Sequence, residues 1–376
     1  VRMVGAALAL LTLAASQAAA TTYHAYVIPN PDGFVTTVGT GTSSGTFVGY
    51  AVTATSEYDA FRWDGAPTAV TPTNLNTTGS NSIAYGISGG QIIGFNTDTG
   101  PQNATIWEGG TRTNLHPSGA GMSIAYSTNG TTQIGIIDGA LNAWAGTDAS
   151  STAITQPAGY DFVSAIDPQK APPAIAANGA LVATGTDTSY LVMHAFLWAN
   201  AASITPLDLN PGGTSTSESI VRGVDGNHQV GDAFYDPNDL NGGASEHWHP
   251  VVWSSTNSAA VLPFSDLVYG SANASGISGN SIVGLGVTLG GADHALLWDN
   301  LNADAPTDLH DLLPAGYISS EAVSIDANGV IFGNAHPTSN FNLSQPVIWV
   351  PDAIPEPATL GMLGLGVLGL LVRKRR

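Results

Sequence analysis

Ile277-Ser278-Gly279-Asn280-Ser281-Ile282-Val283-Gly284 and, ten residues further on, His294-Ala295-Leu296-Leu297-Trp298 decide how this chain folds. Gly-Asn between two β-rich runs is a hairpin signal, because glycine takes the positive φ that a tight turn demands. The signal recurs at Ile87-Ser88-Gly89-Gly90 before Ile92-Ile93-Gly94, and at Val224-Asp225-Gly226-Asn227 before Val230-Gly231. It appears again at Ile325-Asp326-Ala327-Asn328-Gly329 before Ile331-Phe332-Gly333. Weaker copies stand at Thr128-Asn129-Gly130 and Ala177-Asn178-Gly179, and Phe47-Val48-Gly49 fills the slot in the first unit.

The second signal is an apolar run that ends in tryptophan, at Trp63, Trp107, Trp144, Trp198, Trp253, Trp298 and Trp349. Successive gaps are 44, 37, 54, 55, 45 and 51 residues, a period near 48. Each unit therefore reads as strand, tight turn, strand ending in Gly, variable loop, strand ending in Trp, and a weaker fourth strand. Val70, Leu115, Ile154, Leu207-Asp208-Leu209, Val261-Leu262 and Leu309 mark that last strand. Four short strands per unit, repeated, predict an all-β propeller of seven four-stranded blades over residues 21–350. The seventh unit runs out after Trp349, and the alternating segment Thr22 to Ile28 is expected to supply its missing outer strand. The seven indoles are expected to pack between blades as repeat core. An open β-solenoid or two stacked sandwiches is the alternative arrangement.

Composition narrows the function. Of the nine Lys and Arg, only Arg62, Arg112, Lys170 and Arg222 fall between residues 21 and 354, against 27 of the 28 acids, giving 4 − 27 = −23. Such a surface repels phosphate backbones, so nucleic acid is not an expected partner. It tolerates cations, calcium included. With no cysteine in the chain, thiol catalysis and thiolate metal sites are excluded.

The two ends read as targeting segments. Arg2, the apolar stretch Val4 to Ala15, and the small residues Ala18-Ala19-Ala20 make a signal peptide over residues 1–20, with Ala18 and Ala20 at the cleavage site. Pro355-Glu356-Pro357, a Gly-rich apolar run from Ala358 to Val372, and Arg373-Lys374-Arg375-Arg376 close the chain. Those four cations would stay in the cytoplasm by the positive-inside rule. The order of tripeptide, apolar run and basic tail resembles the PEP-CTERM sorting signal. The resemblance implies an exported protein, transiently held in the inner membrane by residues 358–376. It also implies an exosortase that recognises the motif in the 351–357 linker and removes the tail, in bacteria that make exopolysaccharide. A permanent membrane anchor is the other reading of the tail.

His194-Ala195-Phe196-Leu197-Trp198 and His294-Ala295-Leu296-Leu297-Trp298, each downstream of a hairpin element, resemble the extracellular HAF repeat family. Elsewhere Asp59, Pro250 or Pro346 occupies or adjoins the His slot. The resemblance supports location and architecture and implies no chemistry.

Candidate chemistry is sparse. His247-Trp248-His249, with Glu246 adjacent, sets two imidazoles on one face of an extended segment but lacks the third ligand of a zinc site. Asp236 to Gly242 resembles a calcium loop, yet Leu240 and His247 stand where the EF-hand needs oxygen ligands. Gly86-Ile87-Ser88-Gly89-Gly90 has the letters of a nucleophile elbow, but no helix is expected after it. Equivalent repeat positions for His194 and His294 favour a hydrogen bond at a blade edge. The expectation is a secreted or surface-displayed protein with no catalytic or metal residues and no cofactor beyond opportunistic calcium. Its role would be to bind or build an exopolysaccharide or biofilm matrix, with polysaccharide or other matrix proteins as partners. A secreted carbohydrate-active enzyme using carboxylates in the propeller channel is the alternative.

Overall fold

The Gly-centred turns close hairpins: Ser88 pairs with Gln91 around Gly89-Gly90, and Ser278 with Ser281 around Gly279-Asn280. Gly89 and Gly90 both take positive φ, +59° and +82°, which a side chain would resist. The computed structural model describes residues 21–76, 80–98, 100–146, 150–162, 171–189, 192–211, 218–234, 248–264, 269–301, 303–337 and 343–352. The expected signal peptide and the sorting segment, each read as a terminal helix, lie outside the described residues, as do Lys170, the 236–242 loop, Glu246 and His247.

Seven antiparallel sheets form the blades of a β-propeller. Blade 1 runs Phe34–Ser43, Thr46–Thr53, Tyr58–Asp64 and Thr71–Asn74 from channel to rim, and blade 2 runs Ser82–Ser88, Gln91–Asn96, Asn103–Glu108 and Thr111–Asn114. Blades 3, 5 and 6 repeat this order, their inner strands being Ser123–Thr128, Glu218–Asp225 and Tyr269–Ser278. Blade 4 departs from it. Two short pieces, Tyr160–Asp161 and Ala174–Ile175, share the inner edge of Leu181–Asp187. Blade 7 takes its outer strand from the other end of the chain, with Tyr23–Val27 pairing Gln345–Pro351 beyond Ile331–His336 and Ser319–Ile325. The Ile28 amide extends that pairing by donating to the Pro346 carbonyl, 2.8 Å away. The chain divides into the unit Tyr23–Val350 and a second unit of Val1–Thr22 with Pro351–Arg376. In the described part of the second, the Asp352 amide donates to the Thr22 carbonyl at 2.8 Å. Among the described residues the only helical element is a 3-10 turn, His310–Leu312, and no helix is long and apolar enough to cross a membrane.

The glycine expected to end the second strand lies inside it. In six blades the inner strand carries a bulge, skipping Thr40, Tyr85, Tyr126, Arg222, Ser275 or Val323 in the register. The extra residue swings an inner-strand carbonyl against the second strand. A methyl on Gly49, Gly94, Gly135, Gly231, Gly284 or Gly333 would overlap that oxygen. The bulge dictates the glycine, and the pair twists each blade at the channel.

Apolar residues then fill the space between blades. Trp63, Trp144, Trp198, Trp253, Trp298 and Trp349 are fully buried and Trp107 nearly so. Four indole N–H groups cross to the preceding blade: Trp144 donates to the Leu115 carbonyl at 2.9 Å, Trp198 to Thr155 at 2.8 Å, Trp298 to Pro263 at 2.7 Å and Trp349 to Leu309 at 3.0 Å. The residues read as fourth-strand markers mostly sit one position past that strand. Leu115, Ile154, Leu209, Leu262 and Leu309 are buried there, each giving its amide to a third-strand carbonyl. In blade 1 that position belongs to Leu75, bonded to the Ala60 carbonyl, and not to Val70.

Candidate functional site

Short hairpin turns occupy one face of the ring. The opposite face, called here the loop face, carries the longer connections from second to third strand and from outer strand to next blade. The polar chemistry gathers there. A repeated latch joins successive blades: the amides of Ala60, Ala104, Ala195 and Ala295 donate to the hydroxyls of Ser82, Ser123, Ser219 and Ser320, at 2.8–3.0 Å. Ser82-Ile83-Ala84 and Ser123-Ile124-Ala125 are its sequence signature.

His194 and His294 stand at the start of third strands, beside this latch. His194 Nδ1 lies 2.9 Å from Asp208 Oδ2 and 3.0 Å from the Tyr160 hydroxyl, and its Nε2 lies 2.9 Å from the Asn210 amide nitrogen. His294 Nδ1 lies 2.7 Å from Asp308 Oδ2, and its ring stacks on His310 with centroids 4.1 Å apart. His310 Nδ1 is 2.9 Å from Ser320 Oγ, and blade 2 repeats that contact between His116 and Ser123 at 2.8 Å. Both serines are buried and already accept a backbone amide, so their protons point to the imidazoles. In blade 1 Asp59 fills the His slot and accepts from the side-chain amides of Asn74 and Asn76. The sequence reading took Asp208 only as part of a fourth-strand marker and missed both Asp208 and Asp308 as histidine partners, although Asp-Leu recurs at 208–209 and 308–309.

Two carboxyls near the same face are perturbed. Burial and neighbouring Glu321 hold the Asp293 carboxyl above the usual carboxylate range, against the pull of His336 and His294. Burial also raises Glu218, against the Met193 amide and His194. Glu321 accepts from the Asn334 side chain at 2.8 Å, and Asn334 is bonded in turn to the Gly39 backbone of blade 1. Burial and His294 push His310 below the ordinary imidazole value.

A cavity of about 300 Å³ opens where the loop-face ends of blades 4, 5 and 6 meet. Arg222, in the bulge of blade 5, lines it paired with Asp232, with Nε–Oδ1 at 2.7 Å and Nη2–Oδ2 at 3.3 Å. Trp248 lines the cavity and packs on Phe234, centroids 5.5 Å apart.

The motifs singled out in the sequence are scattered by the fold. Of His247-Trp248-His249, His249 occupies the same slot as His194 and His294, four residues before the repeat tryptophan. It is buried against Phe264 at 5.3 Å, so it belongs to blade packing. Among the described residues no three His, Asp or Glu side chains converge as metal ligands. Ser88 and Ser278 end inner strands at hairpins with a strand following each, which is not the strand-to-helix setting of a nucleophile elbow.

Residues 353–376 match the family described as the PEP-CTERM protein-sorting motif. That motif implies an exported protein, processed by an exosortase and held transiently by its C-terminus. No curated protein matches the chain. Among solved structures the chain is similar to a puromycin-hydrolyzing peptidase of Mycobacterium tuberculosis, with 13% identity, TM-score 0.53, and 79% of this chain covering 48% of that one. It is similar to the β-propeller domain of the Trilobed protease from Pyrococcus furiosus, with 7% identity, TM-score 0.50, and 87% of this chain covering 93% of that one. It is also similar to a prolyl endopeptidase, with 9% identity, TM-score 0.53, and 86% of this chain covering 52% of that one. The chain spans about half the length of the two full peptidases. The Pyrococcus propeller is described as having an open velcro topology, whereas Tyr23–Val27 closes this ring.

These likenesses show the fold alone, and they correct the expectation that the protein is not an enzyme. Propellers of this build occur in peptidases. The repeat architecture on which that expectation rested therefore does not separate an enzyme from a binding protein.

Proposed function

We propose that the protein is an exported component of the extracellular matrix, taken at its C-terminus by an exosortase, whose propeller presents its loop face to exopolysaccharide or to other matrix proteins. The sorting motif at 353–376 carries this reading. Residues 1–20 would serve as export signal, with cleavage after Ala20, and 351–357 as the linker that presents Pro355-Glu356-Pro357. Residues 358–376 would hold the chain in the inner membrane, with Arg373 to Arg376 on the cytoplasmic side. The His-Ala-Phe-Leu-Trp and His-Ala-Leu-Leu-Trp runs support the same location through their likeness to HAF repeats. The acidic body fits a matrix of neutral or cation-bridged glycans and disfavours nucleic acid. Calcium would act only as a loosely held counter-ion.

The test is expression of the full chain in a host with and without an exosortase, followed by intact mass and cell fractionation. Loss of the tail and release to the surface are expected only with the exosortase, and substitution of Pro355 and Pro357 by alanine should abolish both. An unprocessed tail in the presence of active exosortase sinks the reading.

One observation favours a second reading, a secreted carbohydrate-active enzyme. The Asp293 carboxyl is raised above the usual carboxylate range by burial and by Glu321, the direction that a general acid requires. Turnover of a polysaccharide that Asp293→Asn abolishes would establish it. Absence of turnover across a polysaccharide panel would remove it, and turnover unchanged by that substitution would remove Asp293 from its chemistry.

A further inference from the structure

A repeat protein shows its purpose where one copy breaks the pattern. In five blades the bulged residue is Thr40, Tyr85, Tyr126, Ser275 or Val323, and the residue after the second-strand glycine is Tyr50, Phe95, Ile136, Leu285 or Asn334. None of these is charged. The two positions pack together in blade 2, where the Tyr85 and Phe95 rings lie 6.1 Å apart. Blade 5 puts Arg222 and Asp232 in these two places, joined by a two-point ion pair with side chains 15% and 5% exposed. Desolvating such a pair costs more than the uncharged residues that stand at these two places in its sister blades, so fold stability does not account for it. The pair lies on the wall of the 300 Å³ cavity, together with Ser271 and Asn273 from blade 6 and Trp248. Met193, Ile220, Ala272, Leu285 and Val287 supply the apolar remainder of the wall.

We infer that this cavity binds one pyranose-type sugar, free or as the terminal residue of a glycan. The glycan source rests on the matrix reading above. The chemistry of the wall argues for the ligand class. A guanidinium beside a carboxylate offers donors and acceptors at fixed spacing, which matches vicinal hydroxyls. Ser271 and Asn273 add groups of both kinds, and the indole offers a flat apolar surface to a ring's C–H face. Asp232 cancels the charge of Arg222 in a body near −23, so the cavity does not select anions. Its volume lies at the small end of ligand pockets, roughly 300–1,000 Å³, which suits one ring and not a chain segment.

Isothermal titration and thermal shift on the protein purified from its producing cells test the inference. The ligands are a panel of free hexoses and deoxyhexoses, and oligosaccharides ending in the same residues. Saturable binding with a concentration-dependent rise in unfolding midpoint is expected for at least one sugar. Binding of the free sugar identifies a monosaccharide ligand, and binding of the oligosaccharide alone identifies a glycan end. Trp248→Ala and Asn273→Leu, which leave the ion pair intact, should each weaken binding tenfold or more while the ligand-free protein keeps the far-UV circular dichroism of the parent. Absence of binding across the panel, or undiminished binding by both variants, overturns the inference. No exosortase enters this measurement. Failure of tail processing would therefore leave the inference standing, and failure of sugar binding would leave the sorting reading standing.

Discussion

The carbonyl oxygen of Ile83 occupies the space that a methyl on Gly94 would need. The bulge at Tyr85 drives that carbonyl inward, and five further blades repeat the arrangement. Gly94→Ala should therefore cost about 3 kcal/mol or more, at the upper end of overpacking penalties. Gly90 offers the control. It faces open space at φ +82°, so Gly90→Ala should lose only the left-handed penalty of about 1–2 kcal/mol. Denaturant midpoints would show this order, and equal losses at the two sites would refute the account of the bulge.

The tryptophans divide by what their N–H groups meet. Trp298 donates to the Pro263 carbonyl, whereas the equally buried Trp253 has no acceptor for its indole among the described residues. Replacement by phenylalanine leaves a gap in both cases, but only Trp298→Phe strands a carbonyl. Trp298→Phe should be the more destabilising by about 1 kcal/mol. Chemical denaturation of the two variants decides it, and the reverse order would show that the hydrogen bond contributes nothing.

Much of the fold was legible because it rests on local signals repeated seven times. Gly89-Gly90 and Gly279-Asn280 announce hairpins, the tryptophan spacing announces blades, and the exhausted seventh unit announces closure by Thr22 to Ile28. The glycine of each second strand was visible but misplaced at the strand end, because the bulge that requires it leaves no letter of its own. Blade 4 hid its split inner strand for a similar reason: Tyr160–Asp161 and Ala174–Ile175 are too short to carry a period. The loop face was least legible. Asp208 meets His194 and Arg222 meets Asp232 through packing that no spacing encodes.

Closure at Ile28 makes blade 7 depend on the start of the propeller. Ile28 is buried against Phe47, Phe61 and Ile348, so it ties blade 1 to blade 7. Ile28→Ala should cost about 2–5 kcal/mol, the range for a large aliphatic side chain removed from a core. Hydrogen exchange would follow it, with protection lost first in Tyr23–Val27 and Gln345–Pro351. Uniform loss over all blades would mean that the ring opens as one unit and not at this seam.

His310 gives the propeller a pH response of known sign. Burial and stacking on His294 disfavour its charged form, against Asp308 and Asp311, and lower its pKa from 6.5. Between that lowered value and 6.5 the unfolded chain binds more protons than the folded one, so this group's contribution is complete above 6.5 and is lost as pH falls. Asp293 and Glu218, both raised, act in the opposite direction: their folded forms bind more protons above the ordinary carboxyl range, which favours folding on acidification. His310→Gln should therefore lose less stability than the parent between roughly pH 7.5 and pH 5.5, the interval in which an imidazole titrates. Unfolding midpoints of the two proteins across that interval test the assignment, and parallel curves would mean that His310 is not the titrating group.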